Sequence, residues 1–343
     1  MLPLRSQFAC ILKAISFSAR RCESAASGKV WKPLTPGAIV DIIAPAGPCD
    51  PDAVEKVKNL LQAWQLIPRI SPHLFGDDLL CANTDQHRFK QLQEALFNSE
   101  SHAVWCLRGG YGCTRLMPAL LKLKVPKTNK LFIGFSDITA LHLFLQQQWH
   151  WQTLHGPCVY QVAEQCIDSA SIEEFRKVIF GECHKLVFSL CPLNDAADNA
   201  QRITSAVVGG NLTLIQASLA TPWQIQMKNK ILFLEDVNET AYRIDRMLQQ
   251  LQQSGILQAV KAILFGDFVA EKKTNEWELI QSVLKRFAQA QHFPVLHCFG
   301  IGHGKTNRSL PLATSAEIVF GTKQLTIRLP HSSAKSIPEK THI

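Results

Sequence analysis

From Ala38 onward, short apolar runs alternate with longer stretches in which apolar residues recur every three or four positions. The segment "AIVDIIAPAGPCDPDAVEKVKNLLQAW" (38–64) sets this rhythm: an Ile- and Val-rich run meets a Gly-Pro turn, and an amphipathic stretch follows from a cap near Asp50. The pattern predicts a strand followed by a helix. A second helix is predicted over "TDQHRFKQLQEALFNS", capped by Thr84. After it come the apolar run "AVWCLR", the turn "GGYG", the helical "TRLMPALLKL", the strand-like "KLFIGF" and the helical "DITALHLFLQQQW". Strands alternating with helices of this length build a parallel sheet covered on both faces.

The rhythm changes after about residue 160. In "ECHKLVFSLCPLNDAADNAQRITSAVVGG" short strands are joined by a polar connection, and a linker is expected over 166–190. The second half then offers "ILFLEDV", "AVKAILFGDF", "FPVLHCFG", "AEIVF" and "QLTIRL" as strands, with helices near 211–219, 240–254 and 275–289. That describes a mixed α/β domain or a small barrel. The expected organisation is an extension over 1–34, a first domain over 35–165, the linker, a second domain over 191–330 and a tail over 331–343.

Composition narrows the function classes. A chain of 343 residues, 46% apolar and 19% charged, buries enough surface for two domains. Its net charge of +8 is spread along the chain instead of gathered with aromatics into a stripe, which argues against nucleic acid as a partner. No apolar run reaches the ~18–20 residues needed to cross a bilayer, so no membrane partner is expected. The 11 cysteines form no CxxC pair, which speaks against a metal or a redox dithiol and for reduced thiols in the cytoplasm. In the first 34 residues Lys13 interrupts the apolar middle and Arg20-Arg21 follows it, which is wrong for a secretory signal. The segment reads as a disordered extension or, being Arg- and Ser-containing and free of acids before Glu23, as something with the composition of a transit peptide.

Ligands of open parallel sheets sit at the carboxyl ends of the strands, so the strand-to-helix turns are where chemistry is sought. Two stand out. "RGGYG" (108–112) offers backbone N–H groups to a ligand, although Arg115 breaks the GxGxxG pattern. "GFSD" (134–137) lifts Ser136 on a sharp turn, as a nucleophile or as a plain helix N-cap. A nucleophilic serine needs a base and an orienting acid. Glu235 and Asp236 end an apolar strand, and alternation sends only one of them to the cleft side. Among the histidines, His73, His87 and His102 lie in polar surroundings, and His142 and His155 suit packing roles. His303, between Gly302 and Gly304, is open to close approach. The nearby "GKT" is no P-loop, because only three residues separate Gly300 from Gly304 and Pro311 spoils the following helix.

The stretches "RGGYGCTRLMP", "IGFSDITALH", "VVGGNLTLIQASLATPW", "FLEDVNETAYRIDRML" and "GIGHGKTNRSLPLA", in this order and spacing, closely resemble the LD-carboxypeptidases, which include the muramoyltetrapeptide carboxypeptidases and the microcin-immunity peptidases. The resemblance spans about residues 35–325. It implies a flavodoxin-like N-terminal domain, a swivelling β/β/α C-terminal domain, a homodimer and a catalytic triad at the domain junction, with no cofactor and no metal. Carried onto this chain, the nucleophile falls on Ser136, the acid on Glu235 and the general base on His303, and the oxyanion hole on the N–H groups of Gly110 and Asp137. The implied activity is release of terminal D-Ala from murein tetrapeptide in peptidoglycan recycling, with a muropeptide as substrate.

Three other readings compete. A microcin-immunity-type peptidase would stack a base on an aromatic such as Trp149, Trp151 or Trp223. An α/β-hydrolase-like esterase expects GxSxG, where this chain has Ile138. A non-catalytic binding module needs no Ser136. Arg108, Arg115 and Arg243 are cations near the predicted site, each equally suited to an ordinary surface ion pair.

Overall fold

The computed structural model describes residues 29–270 and 275–329. In the first domain, strands β1 (Ile39–Ile43), β2 (Ile67–Ile70), β3 (Ala103–Cys106), β4 (Leu131–Gly134) and β5 (Thr153–His155) pair in parallel in the order 2-1-3-4-5. This is the flavodoxin-like order, whose ligands lie at the carboxyl ends near the switch between β1 and β3. Every residue of β3 and β4 is buried, as expected of strands covered on both faces. The covering helices include α1 (Ala53–Ala63), α2 (Asp85–Phe97), α3 (Cys113–Leu120), α4 (Thr139–Gln148) and α5 (Val159–Ala163). Thr84 caps α2 by accepting the His87 N–H. Asp50 caps no helix. It braces the preceding turn by accepting the Asp52 N–H, and α1 begins at Ala53.

The stretch 166–190 is not an irregular linker. It holds helix α6 (Ser169–Ile179), capped by Asp168, and strand β6 (Lys185–Ser189). Phe175, Val178 and Ile179 of α6 are buried, and the Phe175 ring packs 4.9 Å from Trp105 of β3. Burial of that apolar stripe is what orders the segment. The extension also folds at its end. The Lys29 N–H donates to the His150 carbonyl, and Trp31 and Leu34 are buried. Residues 1–28 and the tail beyond 329 lie outside the described residues.

The second domain is one open sheet and not a barrel. Following β7 (Cys191–Pro192) and helix α7 (Asp195–Asn199), strand β8 (Arg202–Asn211) serves two neighbourhoods. On one side β8, β9 (Ile231–Val237), β10 (Ala262–Val269) and β11 (Val295–His297) run parallel, with helices α8 (Leu212–Ala217), α9 (Ala241–Gln253) and α10 (Glu276–Gln289) between them. On the other side β13 (Ser315–Val319), β14 (Gln324–Arg328) and β6 pair antiparallel.

Between β11 and β13 the chain crosses back. Strand β12 (Leu310–Leu312) adds antiparallel to β5 at the edge of the first sheet, with Leu310 opposite His155. Because β12 enters at the carboxyl end of β5, the preceding loop 298–309 is delivered to the rim where ligands are expected. Both hydrophobic cores draw residues from both sheets, for example Val104 with Leu232, and Trp105 with Phe233.

Candidate active site

The strand β4 ends at Gly134, Phe135 is extended, and Ser136 sits at φ +63°. A left-handed conformation at a non-glycine residue costs about 1–3 kcal/mol and persists only where its surroundings impose it. Here the Asp137 carboxylate accepts the Cys113 N–H at 2.8 Å, and Thr139 Oγ1 accepts the Asn211 N–H at 3.0 Å, fixing both ends of the turn. A 3₁₀ turn over Ser136–Ile138 precedes α4, whose N-cap is Ile138. Ser136 is therefore not the helix cap. Its side chain stands on a strained elbow at the domain junction.

The glycine turn lies against this elbow. A Cβ on Gly109 would come within 2.9 Å of the Ser136 Cβ and 3.1 Å of its Oγ, so only glycine leaves the serine its place. The Gly109 carbonyl accepts the Gly47 N–H, which ties the loop after β3 to the loop after β1. Gly110 adopts φ +113°. Among the described residues no acceptor takes the N–H of Gly110 or of Asp137, so both donors are free for an oxyanion.

Alternation along β9 separates the two carboxylates. Asp236 lies on the Leu234 face, where it accepts from Asn211 Nδ2, from the N–H and Oγ1 of Thr213, and from the Val237 N–H. Its oxygens are occupied at the start of α8, and burial, followed by the charge of Glu235, pushes its carboxyl up to about 6. Glu235 lies on the Phe233 face. It is fully buried, and its Oε2 lies 2.7 Å from His303 Nδ1. A carboxylate only accepts, so Nδ1 carries the proton and Nε2 is left as the basic nitrogen. The His303 ring also packs on Phe135, the residue before Ser136, with centroids 4.6 Å apart. Glu235 and His303 thus meet from β9 and the loop after β11, and the His303 ring rests on the residue that precedes Ser136 at the end of β4.

Burial is the largest single influence on His303 and favours its neutral form, but the charge and hydrogen bond of Glu235, with the charge of Asp236, outweigh it. The imidazole titrates above its usual range. The other buried histidines are structural. His142 Nε2 donates to the Gly134 carbonyl, and burial pushes this histidine down to about 4. His155, wedged between Phe135 and Phe233, is held neutral by burial. The buried thiols nearby are held protonated. Burial raises Cys106 and Cys113, and pushes Cys158 up to about 12.

Comparison with known proteins matches residues 40–156 to the LD-carboxypeptidase N-terminal domain and residues 204–318 to the LD-carboxypeptidase C-terminal domain. The chain belongs to the LD-carboxypeptidase family. A carboxypeptidase-named protein of Rickettsia conorii is 39% identical over 283 residues, covering 82% of this chain and 87% of its own. The murein tetrapeptide carboxypeptidase of Pseudomonas aeruginosa is 30% identical over 301 residues, 84% of this chain and 95% of its own. The crystal structure of muramoyltetrapeptide carboxypeptidase from Oxalobacter formigenes superposes with a TM-score of 0.71 at 27% identity, covering 84% of this chain and all of that one.

Within this LD-carboxypeptidase fold, two of the three candidate arginines have carboxylate partners. Arg115 makes a bidentate pair with Asp85, and Arg243 pairs with Glu239. Arg108 donates to the Pro48 carbonyl and pairs with no carboxylate among the described residues. Sequence reasoning missed Arg88, a fully buried residue of α2 that donates to the carbonyls of Pro45, Asn83 and Gly112 and pairs with Asp85. It fastens the glycine turn from behind. It also missed Asp267, at the register shift between β9 and β10, whose two oxygens share the Gly300 N–H at 3.2 Å and so brace the loop that carries His303.

Proposed function

We propose that this chain is a serine carboxypeptidase that releases terminal D-alanine from murein tetrapeptide, cutting between the L-centre of the diamino acid and D-Ala. The observation that carries the reading is the buried Glu235–His303 pair at 2.7 Å beside a serine held at φ +63°. In this reading His303 Nε2 takes the hydroxyl proton as Ser136 Oγ attacks the scissile carbonyl. The N–H groups of Gly110 and Asp137 hold the oxyanion, and Glu235 stabilises the imidazolium. The leaving amine of D-alanine takes the proton back, and water, activated by the same imidazole, hydrolyses the acyl-enzyme. The P. aeruginosa relative supports the choice of substrate, since the similarity extends over 95% of its length.

The nucleotide-peptide alternative finds less support in the geometry. Trp149, Trp151 and Trp223 are all buried, leaving none of the three to stack on a base. The proposal extends to a cytoplasmic homodimer acting in peptidoglycan recycling. Mass spectrometry of purified murein tetrapeptide and pentapeptide after incubation with the protein tests the reading. Loss of one alanine from the tetrapeptide and not from the pentapeptide is the expected result. An intact tetrapeptide overturns it.

A further inference from the structure

Beside the catalytic loop, at the carboxyl ends of β10 and β11, lies a cavity of about 400 Å³. It begins at Gly304, the residue after His303, and runs to Trp277 and Gln281 on α10. Its character is set by three side chains. Asp267 is the one charged group of its lining among the described residues. Trp277 and Phe299 are aromatic, and each is more than half exposed. The Phe299 ring lies flat on His297, with centroids 4.6 Å apart and planes within 7°. Burial pushes His297 down to about 4, so at neutral pH this platform is uncharged. Phe299 is therefore a pre-positioned aromatic surface that supplies no positive charge.

Asp267 has capacity to spare. Among the described residues its oxygens share a single backbone donor at 3.2 Å, whereas a carboxylate accepts about four hydrogen bonds. Gly304 leaves its Oδ2 uncovered, since a Cβ at that position would sit 3.4 Å from this atom. Burial and the charge of Glu235 both disfavour the ionised form of Asp267, and a cation placed beside it would offset both. A carboxylate with exposed aromatic faces around it is the chemistry that selects an ammonium group.

We propose that this cavity is a substrate subsite for a primary ammonium, the side-chain amine of a diamino acid, and that Asp267, with Trp277 and Phe299, sets the preference for it. The inference rests on the carboxypeptidase reading and adds a specificity determinant to it.

The test compares two tetrapeptides, L-Ala-γ-D-Glu-L-Lys-D-Ala and its counterpart with norleucine in place of lysine, which differ in the amine alone. The readout is the ratio of kcat/KM for lysine over norleucine within each protein, so that a general loss of activity cancels. A ratio of about tenfold or more is expected for the wild type, matching one charge-assisted hydrogen bond. It should collapse towards one in Asp267→Asn, where the amide keeps an acceptor for Gly300, and fall several-fold in Trp277→Ala. A wild-type ratio near one, or a ratio that Asp267→Asn leaves intact, overturns the proposal. The same ratio is read as Kd on Ser136→Ala protein, which needs no turnover. Discrimination in binding without cleavage by the wild type would sink the carboxypeptidase reading and leave the subsite standing, whereas cleavage without discrimination would do the reverse.

Discussion

Replacing Glu235 by Gln removes one negative charge from a fully buried position and changes almost nothing in volume. In the proposed mechanism the reaction places a positive charge on His303, whose Nδ1 lies 2.7 Å from that carboxylate. With charge centres about 4 Å apart and an effective dielectric constant of about 20, the interaction is worth about 4 kcal/mol. That corresponds to about a thousandfold in rate. A second loss follows from hydrogen bonding. Glu235 Oε1 has no partner among the described residues, and an amide that turned its NH₂ towards Nδ1 would force the proton onto Nε2, the wrong nitrogen for a base. The fall in kcat/KM should therefore lie between about a thousandfold and ten thousandfold.

The pH profile provides an independent readout. A base works only when neutral, so with His303 in that role kcat/KM should fall as the pH drops through its titration. Glu235 raises that titration, which puts the acid limb of the wild type above ~6.5, and Glu235→Gln should move the limb to lower pH. A continuous assay of D-alanine release from murein tetrapeptide across pH reads both quantities. Activity within tenfold of wild type, or an acid limb that does not move, would refute the role given to Glu235.

Two further substitutions probe the scaffold. Gly109→Ala should lower the melting temperature and, in the protein that remains folded, cost about a hundredfold or more in kcat, because its methyl group would displace the Ser136 side chain; a variant with normal kcat would contradict the placement of the glycine turn. Arg88→Ala strips donors from the buried carbonyls of Asn83, Gly112 and Pro45 and should cost about 3–5 kcal/mol in urea unfolding; a loss below about 1 kcal/mol would show that the guanidinium is not holding the turn.

Much of this architecture is legible in the residues because its signals are local. Strands such as "AVWC" and "LFIG" are buried on both faces and read as unbroken apolar runs, and the helices between them carry a stripe and a cap, as Thr84 shows. The separation of Glu235 from Asp236 follows from the two-residue period of a strand. Illegible features depend on partners distant in sequence. Strand β2, "IPRI", is an edge strand with no fully buried residue and a proline. Strand β12, "LPL", is three residues whose pairing partner lies more than 150 positions earlier. Helix α6 falls where a change of composition suggests a linker, yet Phe175 orders it against Trp105. Arg88 occupies a helix position that looks like surface until the carbonyls it serves are brought around it.

The central claim is that Ser136 is the nucleophile of a triad with His303 and Glu235. Its most direct test is the rate of D-alanine release from murein tetrapeptide by Ser136→Ala and His303→Ala proteins, measured beside the wild type after both variants are shown to fold. Triad members act as a unit, so both rates should fall by about four orders of magnitude or more, and to a similar level. Turnover by either variant within about tenfold of wild type would contradict the assignment.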